Sequence, residues 1–249
     1  MIYSDAIASR KKIGIVVPST NTVVQPDSDD LRPRGVTNHV GRIPILERVI
    51  GGQQTYLEHM KMMSEGIGGA MDMVMTCQPH HMIMGVAIEA FQDGIEASKK
   101  LQKGLEDRIG VGVSMGAHAI VKALKAFGAR RISVLTPHQP KGDEIVRAYL
   151  EEAGFDIVRL IGMQCSSPLA IAAVMPDTLR GHINDLNGPD VEAIVQVGTN
   201  LSMVRLAASA EDMLGKPVIA INAVTYWDAL RRIGIEDKIF GFGRTLEQF

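Results

Sequence analysis

The chain has 249 residues, of which 46% are hydrophobic, 22% charged and 4% aromatic, and its net charge is −2. This length suits one large domain or two of about 120 residues, with a core that needs no disulfide or metal. The cations are not clustered as on a nucleic-acid surface, and every apolar run is shorter than the roughly 18 residues of a membrane span. We therefore expect neither nucleic acid nor membrane as a partner. Two cysteines without an export signal predict reduced thiols in a cytoplasmic protein.

Short apolar runs alternate with longer amphipathic stretches, which is typical of a parallel sheet built from strand–helix units. In chain order, the predicted strands are Ile13–Val17, Met73–Thr76, Ile109–Val113, Ile132–Leu135, Ala193–Val197 and Pro217–Ile221. The predicted helices are Gln53–Glu65, Gly85–Leu105, Ala117–Phe127, Gly142–Glu152, Met203–Leu214 and Thr225–Arg232. The sequence therefore predicts an α/β fold.

The predicted strands repeat at a nearly constant spacing. Residues 13–18 align with residues 132–137 at an offset of 119, and residues 73–77 align with residues 194–198 at an offset of 121. This spacing predicts two pseudo-symmetric halves, each a short parallel sheet flanked by helices. We expect residues 1–115 with about 223–249 to form the first half and about 116–222 the second.

Ligands of open parallel sheets bind beyond the carboxyl ends of the strands, so the residues that follow each apolar run are the candidates for a site. Ser19 and Asn21 follow the first predicted strand, and Gly198, Thr199 and Asn200 follow the fifth. Hydroxyl, amide and main-chain N–H groups in such loops suit a carboxylate. A plain turn between strand and helix is the alternative interpretation.

Cys77 and Gln78 come directly after the second predicted strand. A thiol at such a position can have a lowered pKa and act as nucleophile or base, and the adjacent His80 and His81 could accept its proton. A buried, inert cysteine is one alternative. A metal site formed by Cys77 and the two histidines is another, but no fourth ligand follows at a familiar spacing. Cys165 has no such neighbours, and we interpret it as structural.

Residues 112–116 match the Gly-x-Ser-x-Gly pattern of a serine hydrolase around Ser114. We interpret this match as coincidental, because such hydrolases need a longer chain than two halves of this size provide.

The segment KIGIVVPSTNT at residues 12–22, together with Cys77, resembles the maleate cis–trans isomerase and arylmalonate decarboxylase group of the aspartate/glutamate racemase superfamily. The likeness continues through residues 135–137, 198–201, 215–218 and 227–234. The resemblance implies two α/β halves with the active site in the cleft between them. It also implies a small carboxylic acid as substrate, no cofactor or metal, and a homodimer or larger homo-oligomer.

The resemblance implies two facing cysteines in isomerases, one in each half. Cys77 matches the first, whereas Gly198 occupies the second position, and His138 stands where the isomerases have a tyrosine. His138 or water would then supply the proton that the missing thiol would normally handle. The sequence thus predicts an enzyme that acts on a small dicarboxylic acid through a thiol, most simply as a maleate isomerase. The alternatives are a decarboxylase of the arylmalonate type and a non-catalytic protein that binds small acids.

The predicted site has two groups of residues. The catalytic residues are Cys77 and His138, and the substrate-binding residues are Ser19, Asn21, Gln78, Gly198, Thr199 and Asn200.

Overall fold

The computed structural model describes residues 5–46 and 53–249. Its strands are β1 (Lys11–Pro18), β2 (Val36–Ile43), β3 (His81–Met84), β4 (Gly112–Met115), β5 (Arg131–Thr136), β6 (Asp156–Gly162), β7 (Ala193–Gln196) and β8 (Val218–Ala220). Its helices are α1 (Val24–Asp30), α2 (Gln53–Met75), α3 (Ile88–Phe91), α4 (Gly94–Ile109), α5 (Gly116–Phe127), α6 (Pro140–Glu152), α7 (Pro168–Ala172), α8 (Pro176–Leu186), α9 (Val204–Leu214), α10 (Ile221–Arg232) and α11 (Arg244–Gln248).

The strands form two four-stranded sheets with the same topology. One sheet has the order β2-β1-β3-β4 and the other β6-β5-β7-β8. Every strand pair is parallel, and β1 and β5 hold corresponding places in their sheets. The prediction of two similar α/β halves, each a parallel sheet flanked by helices, is confirmed.

Helices cover the central strands closely because those strands are apolar on both faces. In β1, Ile13 and Ile15 have no exposed surface. Glycine allows α2 to approach the first sheet, since a Cβ atom at Gly14 would lie 2.6 Å from Cγ1 of Val74. A Cβ atom at Gly41 of β2 would lie 2.7 Å from the carbonyl oxygen of Ala70 in α2.

The end of the chain returns to the first sheet. Helix α10 packs against β3, β4, α1 and α5. The assignment of the carboxyl-terminal segment to the first half and the residue bounds of both halves remain predictions.

The strand predicted just before Cys77 is wrong. Residues 73–76 are not a strand, because α2 continues to Met75 and the strand that pairs with β1 is β3. Apolar residues in a short run do not distinguish a strand from a buried helix turn. Burial shows the helical period: Met71 and Val74 are buried, whereas Met73 is 74% exposed.

Other boundaries differ from the prediction as well. The helix predicted over residues 85–105 is two helices, α3 and α4, separated by Asp93 in a left-handed conformation with φ of 58°. The strand predicted over residues 109–113 begins only at Gly112, because α4 extends to Ile109.

Within the described ranges, no helix combines the length and the apolar character that a membrane crossing requires.

Candidate active site

The two halves meet where their central strands end, at an edge that we call the carboxyl edge. Asn21 follows β1, and its Nδ2 donates a hydrogen bond to Oγ1 of Thr199, which follows β7 (3.3 Å). Thr199 Oγ1 in turn donates to the carbonyl of Gly85, directly after β3 (3.2 Å). The main-chain N–H of Thr22 donates to Oδ1 of Asn200 (2.9 Å). Three residues of the predicted site therefore lie together, on both sides of the junction.

The side chains of this junction are occupied by the protein itself. Asn21 Oδ1 accepts hydrogen bonds from the main-chain N–H groups of Val23 (3.0 Å) and Val24 (2.9 Å). Asn200 Nδ2 donates to the carbonyl of Pro168 (2.8 Å). Asn21 and Asn200 are 3% and 7% exposed. Their amides hold the two halves together, so main-chain groups are the donors left for a ligand.

Unpaired main-chain N–H groups follow β3 and β7. Within the part of the chain that the structure describes, the N–H groups of Val86, Ala87, Thr199 and Asn200 form no hydrogen bond. N–H groups that have no acceptor within the protein are available to donate hydrogen bonds to an anion. This set of donors suits carboxylate oxygens at the junction of the two halves.

The two sets of donors occupy corresponding positions. Gly85 N–H donates to the carbonyl of Val16 in β1 (2.7 Å), and Val197 N–H donates to that of Leu135 in β5 (2.9 Å). Since residues 16 and 135 correspond in the repeat, Gly85 corresponds to Val197. The counterpart of Gly198 is consequently Val86 and not Cys77, and the offset of 121 is wrong for this pair.

Gly198 leaves no room for a side chain. Its φ is 117°, and a Cβ atom there would lie 2.5 Å from both Cδ and Cγ of Pro137. Residues other than glycine rarely adopt this φ. A cysteine at this position would need the backbone and Pro137 to move.

Cys77 lies at the opposite edge of the first sheet. Its carbonyl accepts a hydrogen bond from Nζ of Lys12 (2.9 Å), and its Sγ donates to the carbonyl of Val74 (3.1 Å). Lys12 stands near the start of β1, and Pro18 is six residues farther along, about 20 Å at the rise of a strand. Burial raises the pKa of the Cys77 thiol. The expectation that Cys77 and the adjacent Gln78 face the cleft is therefore wrong, because its premise, a strand ending at residue 76, fails.

The two histidines beside Cys77 also have structural partners. His80 Nδ1 accepts a hydrogen bond from the main-chain N–H of Lys12 (3.0 Å), whereas His81 Nε2 contacts Oγ of Ser114 (2.8 Å). Across residues 5–46 and 53–249, no three His, Cys, Asp or Glu side chains are grouped as metal ligands would be.

Ser114 belongs to a buried network. It has no exposed surface, and its Oγ donates to Oδ2 of Asp228 on α10 (2.6 Å). Lys122 Nζ donates to the other oxygen of Asp228 (2.8 Å). A nucleophilic serine would bond to a base and face a cavity, whereas this hydroxyl lies between a histidine and a carboxylate inside the core. The Gly-x-Ser-x-Gly match is structural, as expected.

His138 follows β5 at the carboxyl edge. Its main-chain N–H donates to Oγ1 of Thr136 (3.1 Å), and the hydroxyl of Thr136 donates to Asp143. The ring atom Nε2 is buried and has no partner among the described residues. Burial lowers the pKa of His138 to about 4, so the ring is neutral at pH 7. A neutral ring with a free Nε2 can donate or accept one hydrogen bond at this edge.

Ser19 and Cys165 border the same region. Ser19 Oγ accepts a hydrogen bond from the main-chain N–H of Ile45 (2.9 Å). Cys165 N–H donates to the carbonyl of Pro137 (3.0 Å), and Gln139 Nε2 donates to the carbonyl of Cys165 (3.0 Å). Cys165, and not Cys77, is thus the cysteine that contacts the loop after β5 at the carboxyl edge. Burial raises the pKa of the Cys165 thiol.

An open cavity of about 350 Å³ adjoins the loop after β1. It is lined by Ser19, Arg42, Pro44, Ile45 and Leu46.

Sequence analysis missed two carboxyl groups at the carboxyl edge. Glu89 lies in α3, and burial raises its pKa to about 7. Asp27 lies in α1, where burial raises its pKa to about 6 although Nδ2 of Asn222 donates to it (2.8 Å). Glu89 is not predicted as a site residue, because the sequence pattern predicts one long helix across α3 and α4. The pair Asp93-Gly94 is a turn signal in the sequence that could have separated the two helices.

Comparisons with known proteins agree on one family. A family model described as arylmalonate decarboxylase matches residues 13–246. A maleate isomerase of Alcaligenes faecalis is 30% identical over 166 residues, which is 65% of each chain.

Two solved structures have the same fold. A variant of the Nocardia farcinica maleate cis–trans isomerase with a covalently bound succinylcysteine intermediate aligns with a TM-score of 0.88. Its identity is 21%, and the alignment covers 96% of this chain and 99% of that chain. A liganded variant of arylmalonate decarboxylase has a TM-score of 0.82 and 20% identity, with 95% and 98% covered.

Proposed function

Since the chain belongs to the arylmalonate decarboxylase family, we propose that it is a cofactor-independent enzyme that decarboxylates a small dicarboxylic acid of the malonate type. The single observation that carries this proposal is the set of unpaired N–H groups at Val86, Ala87, Thr199 and Asn200. Such groups bind carboxylates and stabilise negative charge that develops on their oxygens. His138, neutral at pH 7, adds a further hydrogen-bonding group to this edge.

The chemistry needs charge stabilisation and one proton. As the bond between the α-carbon and one carboxylate breaks, CO₂ leaves and its bonding electrons form an enediolate on the remaining carboxylate. The N–H groups after β3 and β7 would hold the oxygens of this enediolate, whose charge exceeds that of the ground-state carboxylate. A proton delivered to the α-carbon then completes the product acid.

Isomerisation of maleate by thiol addition fits the site less well. That reaction needs a sulfur atom within reach of the double bond, about 3–3.5 Å from a reacting carbon. The Nocardia isomerase variant carries its intermediate on a cysteine. In this chain Val86 and Gly198 hold corresponding positions after β3 and β7, neither is a cysteine, and Cys77 lies at the other edge of its sheet. The isomerase alternative is favoured by the Alcaligenes relative, and it would depend on Cys165.

Proton NMR of the reaction mixture tests the proposal. We would incubate the full-length protein separately with phenylmalonate, methylmalonate and maleate, using heat-inactivated protein as the control. Conversion of a malonate to its monocarboxylic acid is the expected result, with no fumarate formed from maleate. Formation of fumarate would establish the isomerase alternative instead. Binding of these acids without any turnover would indicate a non-catalytic relative.

A further inference from the structure

We propose that the carboxyl group of Glu89 donates the proton that completes the reaction, an inference that rests on the proposed decarboxylation. Glu89 would then be a catalytic residue in a site without a thiol at either central strand end.

Glu89 lies close to the unpaired donors and to the other half of the molecule. It follows Ala87 by two residues, in the first turn of α3. Helix α3 packs against α6 of the second half. A Cβ atom placed at Gly142 of α6 would lie 2.7 Å from Cβ of His138 and 3.6 Å from Cδ1 of Ile88. The start of α3 and the ring of His138 therefore meet at the same point of the junction.

The carboxyl group of Glu89 has no partner that explains its burial. Within the described residues, only its own main-chain N–H interacts with it, and no cation or other donor reaches it. Protein surrounds the side chain, although part of its surface stays accessible. Because Glu89 is half-buried and no other described residue donates to its oxygens, these oxygens are free to contact a ligand at the junction. Burial raises its pKa to about 7, which keeps part of the population protonated at neutral pH.

The other titratable groups at this edge are less suited to donate a proton. Asp27 accepts a hydrogen bond from Nδ2 of Asn222, and Asp143 accepts one from the hydroxyl of Thr136. His138 is not protonated at pH 7, because burial lowers its pKa to about 4. The Cys165 thiol borders the same edge, but burial raises its pKa and makes it a weaker acid than a carboxyl group. Among the three carboxyl groups named at this edge, Glu89 is the one that no other described residue holds.

The proton and the electrons balance in this step. When CO₂ leaves, the electron pair of the broken C–C bond becomes part of the enediolate. A new C–H bond forms between the α-carbon and the proton of Glu89, which leaves Glu89 as a carboxylate. Water returns the proton before the next turnover. Over the whole cycle, a malonate dianion and one proton from solvent give a monocarboxylate and CO₂.

The variant Glu89→Gln tests this assignment, because it keeps the size of the side chain and removes the acidic proton. We expect kcat for phenylmalonate to fall by about 10²–10⁴-fold, the contribution of a general acid. Binding of the product phenylacetate, measured by calorimetry, should change by less than about threefold. Glu96→Gln is the matched control, because Glu96 is exposed and pairs only with Lys99 on the same helix.

Glu89→Asp supplies a second readout if the glutamine variant folds poorly. It retains an acid at a shorter reach, so we expect a folded protein with kcat between those of wild type and Glu89→Gln. A wild-type enzyme that decarboxylates malonates while Glu89→Gln keeps its kcat would overturn the role of Glu89 and leave the proposed function standing. A wild-type protein without activity on any malonate would overturn the proposed function, and this inference with it.

Discussion

Gly198 follows β7 at the position where the resemblance to the isomerases implies a second cysteine. Its φ of 117° and the position of Pro137 both exclude a side chain. The local backbone therefore does not accommodate a cysteine side chain at this position.

We predict that Gly198→Ala lowers the free energy of unfolding by about 2–4 kcal/mol, the sum of left-handed strain and a clash in the core. Gly154→Ala is the matched control, since Gly154 also has a positive φ, 95°, but nothing lies within 4 Å of its Cβ position. That control should lose only about 1–2 kcal/mol, for the backbone strain alone. Urea unfolding of both variants measures the difference, and equal losses would contradict the clash with Pro137.

At the residue scale the sequence predicts the junction better than the chemistry. Asn21, Thr199 and Asn200 are found as polar residues directly after apolar runs, and the structure brings them together. Cys77 is placed wrongly because a residue's position at a strand end depends on the strand itself. Glu89 is missed because its environment comes from α6, which no local pattern near residue 89 reveals.

The contact between β4 and α10 shows how one element holds another. Ser114 of β4 donates to Asp228 of α10 and contacts His81 of β3, and all three side chains are buried. This network fastens the returning helix to the first sheet.

We expect Ser114→Ala to lower the free energy of unfolding by about 2–3 kcal/mol, because it leaves a buried carboxylate oxygen and a ring nitrogen unpaired. The kcat of the enzyme should stay within about twofold of wild type. Ser209→Ala serves as control, since that exposed hydroxyl donates only to the carbonyl of Arg205 one turn earlier. Loss of kcat in folded Ser114→Ala would contradict a purely structural serine.

The same network predicts a pH dependence of stability. Burial, reinforced by the charge of Arg232, lowers the pKa of His81 to about 4 from an ordinary 6.5. The unfolded chain therefore binds a proton that the folded chain refuses, so this contribution to stability is lost as pH falls from about 6.5 towards 4. We expect a loss of about 2 kcal/mol between pH 7.5 and 5 that is absent in His81→Asn.

Urea unfolding of wild type and His81→Asn at the two pH values isolates this effect from other groups. His138 contributes with the same sign, whereas the raised pKa values of Glu89 and Asp27 favour folding at low pH. These groups remain in both proteins and cancel in the comparison. An identical pH dependence in the two proteins would contradict a neutral, buried His81.

The sequence predicts best the strands that consist of a continuous apolar run. β1, β5, β7 and β8 are found within one or two residues because their cores are continuous apolar runs. β2 is not among the predicted strands, since His39 and Arg42 interrupt its pattern at the edge of the sheet. Edge strands need less burial than central ones, so their periodicity is weaker.

The whole molecule depends on a junction of amide and hydroxyl groups between two sheets of equal topology. Asn21 caps the turn after β1 and bonds to Thr199 of the other half. On the surface the halves are also linked by an exposed ion pair between Arg205 and Asp30 (2.7 Å).

We predict that Asn21→Ala lowers the free energy of unfolding by about 2 kcal/mol. The buried main-chain N–H groups of Val23 and Val24 lose their acceptor, and Oγ1 of Thr199 in the other half loses a donor. Arg205→Ala should cost less than about 1 kcal/mol, as exposed ion pairs usually do. Chemical unfolding monitored by the fluorescence of Trp227 compares the two. A larger loss in Arg205→Ala would show that surface charge, and not the buried junction, joins the halves.

The repeat of apolar runs in the sequence predicts both sheets, since the offset of 119 between β1 and β5 reflects a repeated topology. The cleft is less predictable, because its donors are main-chain N–H groups that carry no residue signature. Similar strands thus give the fold, and the path of the chain between them determines the site.

The proposed decarboxylation needs no thiol, and a thiol-free protein tests this most directly. The double variant Cys77→Ala/Cys165→Ala removes both cysteines of the chain. Its rate of CO₂ release from phenylmalonate should stay within about threefold of wild type, because the N–H groups and Glu89 remain. A folded double variant that has lost this activity by a factor of about 100 or more would contradict the account and assign the chemistry to a cysteine.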